Sequence, residues 1–188
     1  ELKDLTEPGE NWPDDLKPNF TNVDVAISRT RAEYEELSEI RENERLYLDM
    51  IKAAKKFIYF ENQYFTSGKI AAAIAERLNE EDPPEFIMVM PEKGDGWLEQ
   101  KAMDAARVLL AREISKSKYG ERFHIYTPRT TGGTNIYVHA KVSIMDDRLL
   151  RIGSSNMNNR SMGLDSECDV TIDAGLPANK DTPAEIKK

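Results

Sequence analysis

The sequence predicts an α/β sandwich, because short apolar segments with strand character alternate with amphipathic segments of helix length. Two segments carry most of this prediction. Residues 85–90 are predicted to form a strand, because 86–90 form a continuous apolar run, as expected of a strand whose two faces are both covered. Residues 137–146 alternate apolar and polar side chains with a period of two, which is typical of a strand. At 188 residues the chain has the size of one domain with a substantial core.

The predicted elements follow one another in the order that an α/β fold requires. Residues 1–22, with Pro8, Pro13 and Pro18, are predicted to form a linker or arm. Residues 23–188 are predicted to form a single domain. Its predicted strands cover 23–28, 57–60, 85–90, 123–126, 137–146, 148–152 and 167–172, and its predicted helices cover 42–55, 67–79, 97–116 and a start at 181.

Local signals support the individual helices. Met50, Ala53 and Ala54 belong to one apolar stripe of the first helix, which gives it a face to pack. Ser67 can accept a hydrogen bond from the first N–H groups of the second helix, and Pro83 follows the end of that helix. Residues 29–41 are charged and polar, and no element is assigned to them.

The composition argues against several classes of protein. The 34 acidic residues outnumber the 26 basic ones, for a net charge of −8. This disfavours binding to nucleic acid, because such affinity comes largely from neutralised phosphates. No apolar run reaches 18 residues and no signal peptide is visible, so no membrane-spanning segment is predicted, and a cytoplasmic or membrane-peripheral location is favoured. The single cysteine, Cys168, cannot form an internal disulfide and is expected to be buried.

The strand with period two carries the candidate chemistry. Its apolar residues, from Val138 to Ile144, occupy the even positions and are expected to face the core. His139 and Lys141 would then emerge together on the other face, about 7 Å apart. An ammonium can neutralise charge on a phosphoryl group, and an imidazole can act as nucleophile or proton carrier. Asp146 has the parity of the apolar set, so its carboxylate is interpreted as structural.

The residues around this strand resemble the HKD signature of the phospholipase D superfamily. In this sequence the signature comprises His139, Lys141 and Asp146, followed by Gly153, Ser154 and Asn156. Residues 57–67, FIYFENQYFTS, are similar to the I-Y-I-E-N-Q-Y-F segment that opens the C-terminal half of two-motif members. The resemblance extends from about residue 24 to about residue 173.

The resemblance implies a mixed β-sheet with helices on both faces. It also implies a phosphodiesterase or phosphatidyltransferase that cleaves a phospholipid through a phosphohistidine intermediate. His139 would be the nucleophile or the general acid, and Lys141 would bind a phosphate oxygen. Ser154 and Asn156 would hold other phosphate oxygens. Glu167, 28 residues after His139, would accept a hydrogen bond from the imidazole, with Asp165 as the alternative.

Three polar residues, Glu61, Asn62 and Gln63, follow the end of a predicted strand. Such positions often line a site in α/β sheets, and the resemblance also places them beside the substrate cleft. A hydrogen-bonded corner is the alternative. No metal or other cofactor is expected, because the chain has only two histidines and no ligand cluster with zinc spacing. Arg160 is interpreted either as a further phosphate ligand or as half of a structural ion pair.

The sequence departs from the family in having one HKD motif, whereas the family mechanism uses two imidazoles. His124 has no lysine two residues later and cannot replace the second motif. We therefore expect a catalytic half-domain, cut at both ends, that needs a missing N-terminal HKD half or a second copy of itself. The alternatives are a homodimeric phosphodiesterase or nuclease and a non-catalytic binding domain. Peripheral membrane contact is compatible with a phospholipid substrate.

Overall fold

The computed structural model describes residues 13, 15–92, 97–180 and 186. The first twelve residues of the predicted arm and the predicted helix start at residue 181 lie outside the described residues. The described part contains a mixed eight-stranded sheet with the strand order β2-β1-β8-β7-β6-β3-β4-β5. The strands are β1 (Ala26–Arg31), β2 (Ile40–Arg41), β3 (Phe57–Glu61), β4 (Glu85–Val89), β5 (Phe123–Tyr126), β6 (Val142–Met145), β7 (Leu149–Gly153) and β8 (Glu167–Asp173).

Helices flank this sheet, which confirms the predicted α/β fold. Strands β3, β4 and β5 run parallel, and the other neighbours pair antiparallel. Ser67 caps the second helix through a hydrogen bond from the Ile70 N–H, as predicted. The helices are α1 (Glu42–Ala53), α2 (Gly68–Arg77), α3 (Trp97–Ser115) and α4 (Asn159–Gly163).

The main hydrophobic cluster lies between one face of the sheet and the helices. Ile58 and Phe60 of β3 contribute to it from the sheet, and Tyr47 and Met50 contribute from α1. Burying a large apolar side chain of this kind stabilises the fold by about 1.5–3 kcal/mol. Ala53, which was predicted to face inward, is exposed, because Tyr47 and its neighbours form the packing face of α1 instead.

The opposite face of the sheet carries a smaller cluster. Leu150 and Ile172 are buried there together with Ile186, and Phe20 of the predicted arm packs against them. Further along the same face the sheet is open. Three register neighbours on β1, β8 and β7 remain exposed there: Ile27, Val170 and Ile152.

The strand β6 corrects the prediction for residues 137–146. It begins only at Val142, and its buried side chains are Ser143 and Met145 rather than Val142 and Ile144; Lys141, which directly precedes the strand, is also buried. Val142 and Ile144 are half-buried against the smaller cluster. The reversal is possible because β6 is a central strand with both faces covered, so the face with more apolar residues need not be the more buried one.

Two further predictions about strands are wrong. Cys168 is exposed rather than buried, because it alternates with the fully buried Asp169 and points to the open face of the sheet. The first strand begins at Ala26 rather than at residue 23. β2 was not predicted, since a strand of two residues is too short to show periodicity.

Candidate functional site

Four strand ends bring the candidate residues to one edge of the sheet. β3 ends at Glu61, opposite Val142 at the start of β6, and Val142 pairs with Ile152 near the end of β7. β8 begins at Glu167 beside this end of β7. The loops that continue these strands therefore meet at the same edge, and they carry the residues that the sequence singled out.

Lys141 is almost enclosed, with 7% of its surface exposed. Its Nζ donates to the backbone carbonyl of His139 over 2.7 Å and to Gln63 Oε1 over 3.2 Å. Burial lowers the pKa of Lys141, and the nearby Glu167 carboxylate acts in the opposite direction. An ammonium has three N–H donors, so the two contacts within the described residues leave one donor for a substrate oxygen.

The His139 ring is exposed and stacks on Tyr137. The two ring centroids lie 6.4 Å apart, and the ring planes are inclined by 17°. Both His139 and Lys141 precede β6, so the prediction that they share the face of one strand is wrong. They are joined instead through the Lys141 ammonium and the His139 carbonyl, which leaves the imidazole accessible to a substrate while its backbone is fixed.

Ser154 and Glu167 contact each other at this edge. Ser154 Oγ donates to Glu167 Oε2 and accepts a hydrogen bond from the Cys168 backbone N–H over 3.1 Å. The sequence led us to expect Glu167 on the His139 imidazole and Ser154 on phosphate. In this structure the two side chains bind one another, and Glu167 acts on Lys141 through its charge.

Asn156 has an incomplete set of hydrogen bonds. Its Oδ1 is buried and has no partner among the described residues. A buried polar atom without a partner costs about 1–3 kcal/mol. The unpartnered atom is a carbonyl oxygen that can only accept a hydrogen bond, so any bond from this predicted phosphate-binding residue to a phosphate oxygen has to come from its Nδ2 group.

A fully buried ion pair lies beneath the loop that carries Ser154 and Asn156. Arg151 Nη2 and Asp169 Oδ2 are 2.5 Å apart, and both side chains are completely buried. Asp169 also accepts hydrogen bonds from the Ser155 N–H over 3.1 Å and the Ser155 hydroxyl over 2.5 Å. The ion pair therefore holds the middle residue of the loop.

An aromatic ring completes this support. The Arg151 guanidinium lies 4.3 Å from the centroid of the Tyr47 ring, and burial raises the pKa of Tyr47. The Tyr47 hydroxyl and Arg151 Nη2 each donate to the Ser155 carbonyl over 3.1 Å. Sequence reasoning missed Arg151 and Asp169. For Arg151 the available signal was a charged residue inside the otherwise apolar strand β7, whereas Asp169 is one of three acidic residues of β8 and does not stand out.

The three residues after β3 have different environments. Glu61 Oε1 accepts a hydrogen bond from the Tyr59 hydroxyl over 2.7 Å. Asn62 is buried, and its Oδ1 accepts from the N–H groups of Tyr64 and Met157, so it joins two loops. Gln63 contacts Lys141 directly. Of the three predicted cleft residues, Gln63 is the one with a side-chain bond to an HKD residue.

Asp146 joins the β6–β7 turn to the start of β3. Its carboxylate accepts hydrogen bonds from the backbone N–H groups of Lys55, Lys56 and Phe57 at 2.7, 2.8 and 2.9 Å. Asp146 and Asp147 both have positive φ values, 55° and 53°, which is the conformation of a tight two-residue hairpin turn. Asp146 thus lies away from the His139 ring and stabilises the sheet.

Gly153 is required by its neighbour on β8. A Cβ at position 153 would lie 1.8 Å from Asp169 Oδ1 and 2.6 Å from Asp169 Cα. We expect Gly153→Ala to lower the free energy of unfolding by at least the ~1–3 kcal/mol typical of overpacking, measured by urea denaturation. Gly68→Ala is the control, because a Cβ there meets nothing within 4 Å. A Gly153→Ala chain as stable as this control would contradict the close contact.

The remaining candidates contact carboxylates. Arg160 Nη2 and Asp165 Oδ1 are 2.8 Å apart, so the alternative carboxylate for the imidazole is engaged by a guanidinium. His124 belongs to the edge strand β5, and its Nε2 lies 3.0 Å from Glu85 Oε2 of β4. Within the described ranges, no group of three or more His, Cys, Asp or Glu side chains is arranged to hold a metal ion. Of the described helices, none has the length and apolar character needed to cross a membrane.

Comparison with known proteins gives matches over most of the chain. A family model described as "Cardiolipin synthase, PLD-like domain" matches residues 47–185. Phospholipase D zeta 2 of Arabidopsis thaliana is 30% identical in an alignment of 172 residues, and the match covers 69% of this chain. The chain spans only 16% of the length of that relative.

Two solved structures share the fold. Nuc from Salmonella typhimurium, a phospholipase D family member, has a TM-score of 0.56 and 20% identity, over 80% of this chain and 82% of that chain. Phosphatidylserine synthase from Haemophilus influenzae Rd KW20 has a TM-score of 0.63 and 16% identity, over 90% of this chain and 38% of that chain.

Proposed function

This chain belongs to the phospholipase D superfamily, whose members are phosphodiesterase-type enzymes, and from that premise we propose that it supplies one HKD half of a phospholipid-cleaving enzyme. The observation that carries the proposal is the meeting of His139, Lys141 and the loop with Ser154 and Asn156 at one sheet edge. This edge offers an accessible imidazole and a fixed ammonium.

The proposed reaction has two displacements at phosphorus. One imidazole attacks the phosphorus and forms a P–N bond, while the P–O bond to the leaving alcohol breaks and the other imidazole protonates that oxygen. Water or a second alcohol, deprotonated by the second imidazole, then displaces the histidine. His139 takes one of these roles, and the complementary HKD half supplies the other.

The remaining side chains of the site bind the phosphoryl group or orient the imidazole, and they stabilise the charges that develop on them. The Lys141 ammonium stabilises the negative charge that develops on a phosphoryl oxygen, because its position is already fixed by two hydrogen bonds. In this proposal Ser154 exchanges its hydrogen bond to Glu167 for one to a phosphate oxygen, Asn156 binds a further oxygen, and the released Glu167 orients the imidazole and stabilises its charged form. The charge of Glu167 already reaches Lys141, which supports placing this carboxylate in the site.

A homodimeric phosphodiesterase or nuclease is the second candidate. It is favoured by the similarity to Nuc over 82% of the Nuc chain, since that chain is not much longer than the matched region. In such a dimer the second imidazole would come from a second copy of this chain. The acidic net charge of −8 disfavours nucleic acid as its substrate.

Hydrolysis of a chromogenic phosphodiester over a wide range of protein concentrations distinguishes these candidates. With one HKD imidazole per molecule, we expect almost no turnover by the isolated chain, since a missing general acid alone costs about 10²–10⁴ in rate. Activity per molecule that rises with concentration and disappears in His139→Ala would instead establish the homodimer. Concentration-independent activity by a chain that is monomeric in analytical ultracentrifugation would contradict the need for a second imidazole. A chelator in every assay excludes contaminating metal-dependent enzymes.

A further inference from the structure

Tyr137 is held in place by a hydrogen bond although 45% of its surface is exposed. Its hydroxyl accepts a hydrogen bond from Gln63 Nε2 over 2.6 Å, and its ring stacks on His139. An exposed tyrosine without this bond would be free to leave the histidine by rotating about χ1. The contact with Gln63 therefore fixes the aromatic surface on which the imidazole lies.

The Gln63 amide connects the two functional groups of the HKD motif. It binds the Lys141 ammonium directly, and it reaches the His139 imidazole through Tyr137. Its oxygen accepts from the Lys141 ammonium over 3.2 Å. Its nitrogen donates to the hydroxyls of Tyr137 and Tyr64, over 2.6 and 3.2 Å. Only an amide supplies an acceptor for the cation on one side and donors for the hydroxyls on the other. Gln63 itself is only 9% exposed.

We propose that Gln63 and Tyr137 are positioning residues that fix the His139 ring relative to the Lys141 ammonium before a phosphate binds. Gln63 links the two sides, because it binds the ammonium directly and the imidazole through the stacked tyrosine. A preorganised pair loses less freedom when it engages a phosphoryl group. The proposal rests on the proposed function in taking phosphate as the ligand.

The neighbouring residue Asn62 shows what a purely structural role looks like here. Asn62 binds backbone N–H groups of Tyr64 and Met157, whereas Gln63 binds side chains of the site. Tyr64→Phe is the matched control, because it removes the other hydroxyl that Gln63 binds and leaves the Tyr137 contact in place. Tyr137→Leu defines the unstacked state, since it removes the ring.

The experiment follows the imidazole protons of the full chain by NMR. The chain has only two histidines, and His124 on the distant edge strand serves as an internal control for folding. In the absence of phosphate, Tyr137→Phe and Gln63→Met are expected to move the His139 resonances toward those of Tyr137→Leu. Tyr64→Phe should leave them at the wild-type position. If Tyr137→Phe and Gln63→Met both keep the wild-type resonances, the positioning role is wrong.

Titration with inorganic phosphate then separates this proposal from the proposed function. We expect phosphate to shift the His139 resonances and not those of His124. Tyr137→Phe is expected to raise the phosphate dissociation constant about 2- to 10-fold, the range for loss of one hydrogen bond. If phosphate does not shift the His139 resonances of the wild-type chain, the proposed function is contradicted. The positioning role is not, because the spectra recorded without phosphate test it independently. Equal affinities in wild type and Tyr137→Phe would contradict the positioning role alone.

Discussion

Replacing His139 with alanine is expected to abolish turnover when the complementary HKD half is supplied. A lost general acid lowers the rate about 10²–10⁴-fold, and loss of a nucleophile prevents the covalent step altogether. The fold is expected to remain intact, because the His139 side chain is exposed and such substitutions usually change stability by no more than about 0.5 kcal/mol. The measurement is the initial rate with a chromogenic phosphodiester.

The matched control is His124→Ala. It removes an imidazole from a half-buried position on β5, where His124 Nε2 lies 3.0 Å from Glu85 Oε2. This variant should retain the wild-type rate. Substantial activity in His139→Ala, or an equal loss in His124→Ala, would contradict the assignment of His139 to the reaction.

Removal of the buried carboxylate at position 169 is expected to have the largest effect on stability. Asp169→Ala leaves the Arg151 guanidinium buried without its counter-ion, and breaking a buried pair in this way costs about 3–5 kcal/mol. It also removes both hydrogen bonds from Ser155 to Asp169. The measurement is the free energy of unfolding from urea denaturation.

Two further variants test the interpretation of this loss. Glu113→Ala breaks an ion pair in which both side chains are 67% exposed, so it should cost less than about 1 kcal/mol. The double variant Arg151→Met/Asp169→Leu removes both charges and is expected to recover much of the stability. A loss below about 1 kcal/mol in Asp169→Ala would show that burial of the pair does not determine the stability of this region.

The sequence was sufficient to predict that the candidate residues lie on loops at strand ends, but not which side chains are buried beneath those loops. The positions of Glu61 and Gly153 at strand ends follow from periodicity and turn residues, so the meeting of their loops could be expected. The inward orientation of Lys141 could not, because parity alone does not say which face of a central strand is more buried. The Arg151–Asp169 pair was missed because buried charges are recognised only when both partners are known.

The exposure of Cys168 has a related cause. Its strand alternates normally, but the face to which it points is open beside Ile27, Val170 and Ile152. Which face of a strand is covered depends on elements that are distant in sequence. A local pattern therefore predicts that a strand exists more reliably than it predicts which of its side chains are buried.

The hydrogen bonds of Asp146 have a consequence for the order in which the chain folds. Its carboxylate binds N–H groups 89 to 91 residues earlier in the chain, and closing a loop of that length costs about 4 kcal/mol of chain entropy. The β6–β7 hairpin is local and forms without this cost. We therefore expect the hairpin to form first and to dock on β3 later. An intermediate with its helices and this hairpin in place would still lack the site, because the site is assembled by the same event that completes the sheet.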